Sequence, residues 1–492
     1  MQQYSNEERE LLVSPPSQDM SPFSKIPLQE KIDAAKEILS AVLPNAASTL
    51  GTMLKDVISL YFVGHLNNPL VFAAAGFGLT WANSFGTAVI FGFAGGFGTF
   101  ASQAFGAKNF RKLGVLYQKI LAVMAGLLVL ICSILWFTKT ELLWFGFEEN
   151  LATQIGLFIR CLLVDLMCYS VFETTRFYLL AQNIFDIPAY VLFISTSIHV
   201  IWCHLFINVL GLELVGMSLA RTVTDGTSAA LILLYAKYKN PCPESWYDWD
   251  PECTKDIVPF LKEIASHGSS VYAEWIAFEI STILLGFMGD INVIAAHAAT
   301  LNYVFLNYNV TFGFTLSMSV FVGNAAGEGN LNRAKKYASV GLMLNLTLNT
   351  ILDILMFLSR DMIALFYTEE ETVRALIASM LTFYFFGMHG DLGCNTLAFL
   401  LRTLGQDKYV LKCYLFSYYG VGVTVSVFTG LILGFGYYGV WASLIFGCWI
   451  MLCLNAQRFL YLDWKKEVAK VAQDMKNTPG NERCDEVELC NF

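Results

Sequence analysis

Long apolar runs alternate with short polar, glycine- or proline-bearing breaks along nearly the whole chain. An apolar run of about 20 residues is long enough to cross a bilayer as a helix. The pattern predicts twelve such helices, near 38–63, 70–98, 115–137, 152–181, 187–208, 213–236, 262–288, 293–322, 337–358, 375–401, 409–433 and 438–462. The runs lack the every-second-residue alternation of a barrel strand, so helices are the spanning structure that fits.

The polar breaks orient the spans. Even-numbered connections carry Lys108, Arg111, Lys112, Lys237, Lys239, Lys255, Arg333, Lys335, Lys336, Arg402 and Lys408. Odd-numbered connections carry only Lys139, Arg360 and Arg374. Basic loops stay in the cytosol, which places the even loops and both termini there. The longest internal break, 237–256, holds three prolines (Pro241, Pro243, Pro251) and falls after the sixth span. The expected organisation is a cytosolic arm (1–32), a first lobe (33–236), a linker (237–256), a second lobe (257–465) and a tail (466–492), disordered from 470. Six spans is an even number, so the two lobes enter the membrane from the same side and are parallel repeats.

A short repeat supports that division. Phe100, Ala104, Gly106 and Asn109 match Phe321, Ala325, Gly327 and Asn330, and each copy ends an apolar run and precedes a basic cluster. Two same-way-up repeats in a membrane point most simply to a transporter with a site between its halves.

Composition adds exclusions. Hydrophobic residues make up 55% and charged residues 14% of the chain, against about 25% charged in a soluble protein, and mean hydropathy is +0.53. An all-α integral membrane protein follows. The net charge of −9 gives no reason to expect nucleic acid as a partner. The acidic N-terminal arm has no short apolar core, so the first span is expected to direct insertion. The twelve cysteines are scattered without metal-ligand spacing, which reads as buried free thiols, and Cys242 and Cys253 are expected to be reduced. GxxxxGK[ST], HExxH and GxSxG are all absent, which argues against an ATP motor or an enzyme.

The candidate chemistry lies in carboxylates inside the spans. Glu274 and Glu279 sit mid-run in the seventh span and Asp391 deep in the tenth. A central carboxylate costs on the order of 2.5–3.5 kcal/mol to insert, so each needs a reason to be there. Five residues separate Glu274 from Glu279, about 140° around a helix. One is expected to face a central cavity and the other the core of its own half. His389, two residues before Asp391, reads as a satisfied polar group, with a proton relay as the alternative. First-half charges have local basic neighbours: Lys55 beside Asp56, Asp165 and Glu173 near Arg176, and Asp225 near Arg221. These read as structural pairs. Glu274, Glu279 and Asp391 have no such neighbour, which assigns ion coupling to the second half. A carboxylate in low dielectric resists ionisation and can exchange a proton for a bound cation. Trp275, Phe278, Tyr303, Tyr308 and Phe385 are candidate aromatic surface for flat organic cations.

Several segments resemble one family. SQAFGAKN (102–109), AEWIAFE (273–279), VGNAAGEGNLNRAKK (322–336) and LRTLGQDK (401–408) resemble, in order, motifs of multidrug and toxic compound extrusion (MATE) transporters of the eukaryotic branch. RFYLLAQN (176–183) and DWKKE (463–467) add weaker matches. The resemblance implies a V-shaped fold of twelve transmembrane helices in two parallel six-helix lobes. It implies antiport of organic cations or xenobiotics against protons, or against sodium in some relatives, with no cofactor or metal and Glu274, Glu279 and Asp391 essential. Trp275, Asn302, Tyr303, Tyr308 and His389 are candidate cavity-lining residues. Asn302 stands where animal members carry an acid, and Asp56, the first-lobe candidate, lies about one turn before the acid of bacterial relatives. An organic-anion exporter or a lipid-linked oligosaccharide flippase of the same fold is the alternative. A monomer in the plasma membrane or a vacuole- or lysosome-like membrane is expected. Glu7 to Leu12 fits an acidic dileucine sorting pattern.

Overall fold

A computed structural model describes residues 26–66, 68–239 and 242–476. The twelve expected helices are all present: α1 Leu28–Gly64, α2 69–106, α3 Phe110–Trp136, α4 Glu149–Ala181, α5 186–209, α6 Glu213–Tyr238, α7 Ile257–Met288, α8 Ile291–Gly327, α9 Leu331–Tyr367, α10 Glu371–Thr403, α11 407–432 and α12 Tyr437–Leu460. A thirteenth helix, α13, spans Trp464–Lys476. Among the described residues, nine of these helices are apolar and long enough to cross a membrane by composition alone. Of the twelve expected spans the remaining three, α1, α6 and α10, are the ones that carry Lys55 and Asp56, Arg221 and Asp225, and His389 and Asp391.

Several boundaries differ from expectation: α2 runs on to Gly106 and α9 spans Leu331–Tyr367, and two further differences have a clear cause. The first helix begins at Leu28 and not near 38. Its polar opening turns bury Ala34 and Ile38, while Glu37 takes a hydrogen bond from Tyr337 and Glu30 pairs with Lys336 at 3.3 Å. The tail is helical through Lys476, where disorder was expected from 470. Trp464, Val468, Val471, Ala472 and Met475 recur at helical spacing and are all buried, so a short apolar stripe outweighs the polar average. The Glu7–Leu12 pattern and residues 477–492 lie outside the described residues.

The repeated motif has a structural explanation. Each copy ends a helix, passes a residue with left-handed backbone, Lys108 (φ 55°) or Gly329 (φ 77°), and starts the next helix with an asparagine cap. Asn109 accepts from the Lys112 amide at 3.0 Å and Asn330 from the Arg333 amide at 3.1 Å. Such caps satisfy amides that the first helical turn leaves open.

The halves meet where α1 packs on α8 and α2 packs on α7 and α8. Glycines permit the approach. A Cβ on Gly313 would lie 2.5 Å from the Ala46 amide nitrogen, and one on Gly92 would lie 2.8 Å from the Gly268 Cα. α13 lies across both halves on the face of the basic loops, touching α2 and α8. The linker folds against α3. Tyr247 donates to the Arg111 carbonyl at 2.7 Å, and Arg111 pairs with Asp250 at 3.1 Å and Glu252 at 3.3 Å. Cys242 and Cys253 are both buried.

Candidate functional site

α7 and α10 bring Glu274 and Asp391 together in the second half. Glu274 is 2% exposed and Asp391 4%. Asn395 Nδ2 donates to Glu274 Oε1 at 2.6 Å, and the Tyr414 hydroxyl donates to Oε2 at 3.0 Å. The two carboxylates are close enough to act on each other electrostatically, and Asp391 Oδ1 has no hydrogen-bond partner. A buried carboxylate without full hydrogen bonding is costly while ionised, so this arrangement is suited to holding a proton or a cation in turn.

Glu279 is half-buried, and among the described residues no hydrogen bond or ion pair reaches its carboxylate. It faces away from Glu274, as the spacing predicts. Glu274 is the acid that turns into its own lobe.

Glu274 does have a basic neighbour, contrary to expectation. Arg402, 0% exposed, comes from the far end of α10 and acts electrostatically on Glu274. Its guanidinium lies 4.9 Å from the Phe399 ring and 5.4 Å from the Tyr414 ring, and none of its nitrogens has a hydrogen-bond partner. Sequence proximity along the chain could not reveal this neighbour, because the two residues lie on different helices.

An aromatic cluster adjoins the acids at the seam between the halves. Trp275 stacks on Phe91 of α2 with ring centroids 6.0 Å apart, and Phe91 contacts Phe312 of α8 at 5.6 Å. Tyr308 stacks on Phe312 at 5.5 Å, and its hydroxyl accepts from Asn395 at 3.1 Å. Asn395 therefore holds both the Glu274 carboxylate and the aromatic seam. Sequence reasoning missed it, although it lies one helical turn after Asp391.

Other candidates stand elsewhere. Phe385 stacks against Phe357 at 4.6 Å. Tyr303 packs partly buried in the second half, and Asn302 is exposed, donating to the Ala298 carbonyl at 3.0 Å. His389 lies on another face of α10, 3.1 Å from Asp353 and 3.0 Å from the Thr350 hydroxyl. A small cleft lies at the seam among Gly95, Gly98, Phe177, Phe399 and Thr403, and none of the three acids lines it. In this arrangement Glu274 and Asp391 are turned into their own half.

The first-half charges are paired, but not as their spacing suggested. Glu173 and Arg176 do meet, at 2.8 Å. Arg221, however, bonds Asp56 and lies 3.4 Å from Asp165, while Asp225 pairs with Lys55. Asp56 is thus held in an ion pair, with Asn83 also donating to it at 3.4 Å.

Comparison with known proteins places the chain. The family model MatE matches residues 44–205 and 269–428, one stretch in each half. Protein DETOXIFICATION 49 of Arabidopsis thaliana is 28% identical over 91% of this chain and 89% of its own length. Multidrug and toxin extrusion protein 1 of Homo sapiens is 26% identical over 91% of this chain and 79% of its own length. The crystal structure of the eukaryotic MATE transporter AtDTX14 superposes with a TM-score of 0.85 at 20% identity, covering 91% of this chain and 99% of that one. The shared architecture is a V of twelve helices in two lobes, α1–α6 and α7–α12. From the matched motifs, the two halves and this common fold, the chain belongs to the MatE family of membrane transporters, proteins of multidrug and toxin extrusion.

Proposed function

We propose that this transporter exports organic cations in exchange for protons by alternating access, acting as a monomer with its basic loops in the cytosol. The single observation that carries the reading is Asn395. It donates to Glu274 and to Tyr308 at once, tying a buried carboxylate to the aromatic seam between the lobes. Protonation of Glu274 alters what that carboxylate accepts and releases Asn395. Tyr308, Phe312, Phe91 and Trp275 are joined by ring contacts and respond together. A flat cation held by ring faces and balanced by Glu274 or Asp391 is displaced when the acid takes a proton. Glu279, half-buried on the adjoining face of α7, supplies a further acid. Both a plasma membrane and a vacuole- or lysosome-like membrane fit the proposed orientation.

Purified protein in liposomes, given an imposed pH gradient and a fluorescent organic cation, tests this directly. Gradient-driven exchange that E274Q and D391N both abolish is the expected result. Exchange driven by a sodium gradient but not by a proton gradient would replace the coupling ion. Failure with cations under either gradient would overturn the cation reading.

A further inference from the structure

His267 stands on α7 seven residues before Glu274, two turns along the same face toward the basic loops. Its side chain is 2% exposed, and Nδ1 lies 3.2 Å from Asp407 Oδ1 in the first turn of α11. Asp407 itself is 19% exposed. Among the described residues, His267 Nε2 is buried without a hydrogen-bond partner.

The opposite lobe covers this ring. A Cβ on Gly95 of α2 would lie 3.4 Å from His267 Nε2, and one on Gly96 would lie 3.2 Å from the His267 Cβ. Gly95 and Gly96 of the opposite lobe therefore form part of the cover over the imidazole.

Arg402 shares the Phe399 ring with His267: its guanidinium lies 4.9 Å from that ring, and the His267 ring lies 5.9 Å from it. Arg402 acts electrostatically on both His267 and Glu274, and the Tyr414 ring beneath its guanidinium carries the hydroxyl that donates to Glu274. The charged groups that act on His267 are therefore Asp407 from α11 and Arg402 from α10. α2 presents glycines to it and no charge.

We propose that His267, oriented by Asp407, carries the proton between Glu274 and the basic-loop face, and that α2 and Arg402 gate this route. The inference rests on the proton-exchange reading above. Two helical turns, about 10 Å, separate the two groups, so Glu274 gives its proton to water in the opened seam, that water gives one to His267 Nε2, Nδ1 passes its own to Asp407, and Asp407 releases it to water. Each transfer makes one bond to hydrogen and breaks one, and no electrons change hands. With the lobes together, a fixed guanidinium repels a proton on this path, much as an arginine excludes protons from a water pore. With the lobes apart, water screens the guanidinium and hydrates Nε2.

The test uses the full-length transporter in liposomes, with the pH on the basic-loop side varied and exchange driven by a proton gradient. H267N retains an amide for Asp407 but binds no proton. It is expected to keep the wild-type KM for the fluorescent cation, to lose about 100-fold in turnover, at the low end for a positioned proton-transfer group, and to lose its dependence on pH at that face. H267A is expected to recover turnover when imidazole is added. Wild-type turnover and pH profile in H267N, loss of cation binding in H267N, or no recovery of H267A with imidazole would each overturn the relay while leaving proton exchange standing. Absence of gradient-driven exchange in the wild type would overturn both.

Discussion

Gly106 and Gly327 occupy matching places in the two halves and press into each other's helices. A Cβ on Gly106 would fall 1.9 Å from the Asn324 carbonyl oxygen, and one on Gly327 would fall 1.9 Å from the Gln103 carbonyl oxygen. Gln103 and Asn324 are themselves matching positions of the repeat. The contact is reciprocal and closes the lobes on the basic-loop face.

G106A and G327A are each expected to weaken that closure by about 1–3 kcal/mol, the usual cost of overpacking a tight contact. The measurement is labelling of a cysteine introduced at Ser102, which the closed seam shields. Faster labelling in both variants, to a similar degree, is the expected outcome. Unchanged labelling would mean that the seam is held elsewhere.

Y414F removes one of the two hydrogen bonds to the Glu274 carboxylate. A bond to a charged group is worth about 1.5–3 kcal/mol, so proton-driven turnover should fall at least roughly tenfold while the protein remains folded. Y418F is the control, since its hydroxyl meets only the sulfurs of Cys394 and Cys448. Equal effects from the two substitutions would remove the special place given to Tyr414.

Lys55 and Asp225 form a buried pair in the first lobe. Removing one member leaves the other charge stranded, at about 3–5 kcal/mol, whereas replacing both with apolar residues is often close to neutral. K55M and D225L should each lower the unfolding temperature in detergent, and the double variant should recover most of the loss. A double variant no better than the worse single one would contradict this pairing.

The linker lock depends on pH. The Glu252 backbone N–H and the Arg111 guanidinium hold the Asp250 carboxyl below the usual carboxylate range. A depressed carboxylate contributes stability above its unfolded value and loses it as pH falls through the folded one. Proteolysis between Pro243 and Thr254 should therefore stay slow at neutral pH and accelerate only below about pH 4. R111Q should shift that acceleration to higher pH, and a pH-independent rate would count against the lock.

Much of this architecture was legible in the sequence, and the reasons are physical. Span length and basic loops depend on composition over many residues, so α1 to α12 could be placed before any contact was known. Glu173 with Arg176 was legible because both partners lie on one helix, three residues apart. Arg221 looked like a partner for Asp225 by the same rule, yet it turns to Asp56 and Asp165 across the lobe. Local spacing cannot rank itself against contacts made by folding. Arg402 and His267 were invisible as parts of the site for that reason. The wide turns in α11 at Leu415–Val423 and Val427–Ile432 carry no hydropathy signal, because they change backbone pitch and not polarity.

The two ends of α13 are fastened differently. Trp464, Val468 and Val471 are sunk in the core of the second lobe. On the first lobe, Asn109 and Lys112 hold the carbonyls of Met475 and Asp474 at 3.1 and 2.7 Å, with the Met475 side chain as the one apolar anchor. Water can replace a hydrogen bond to a carbonyl but offers nothing in place of a buried tryptophan. α13 is therefore a clasp with a riveted end and a catch: it travels with the second lobe, and each opening on this face must first slip the catch.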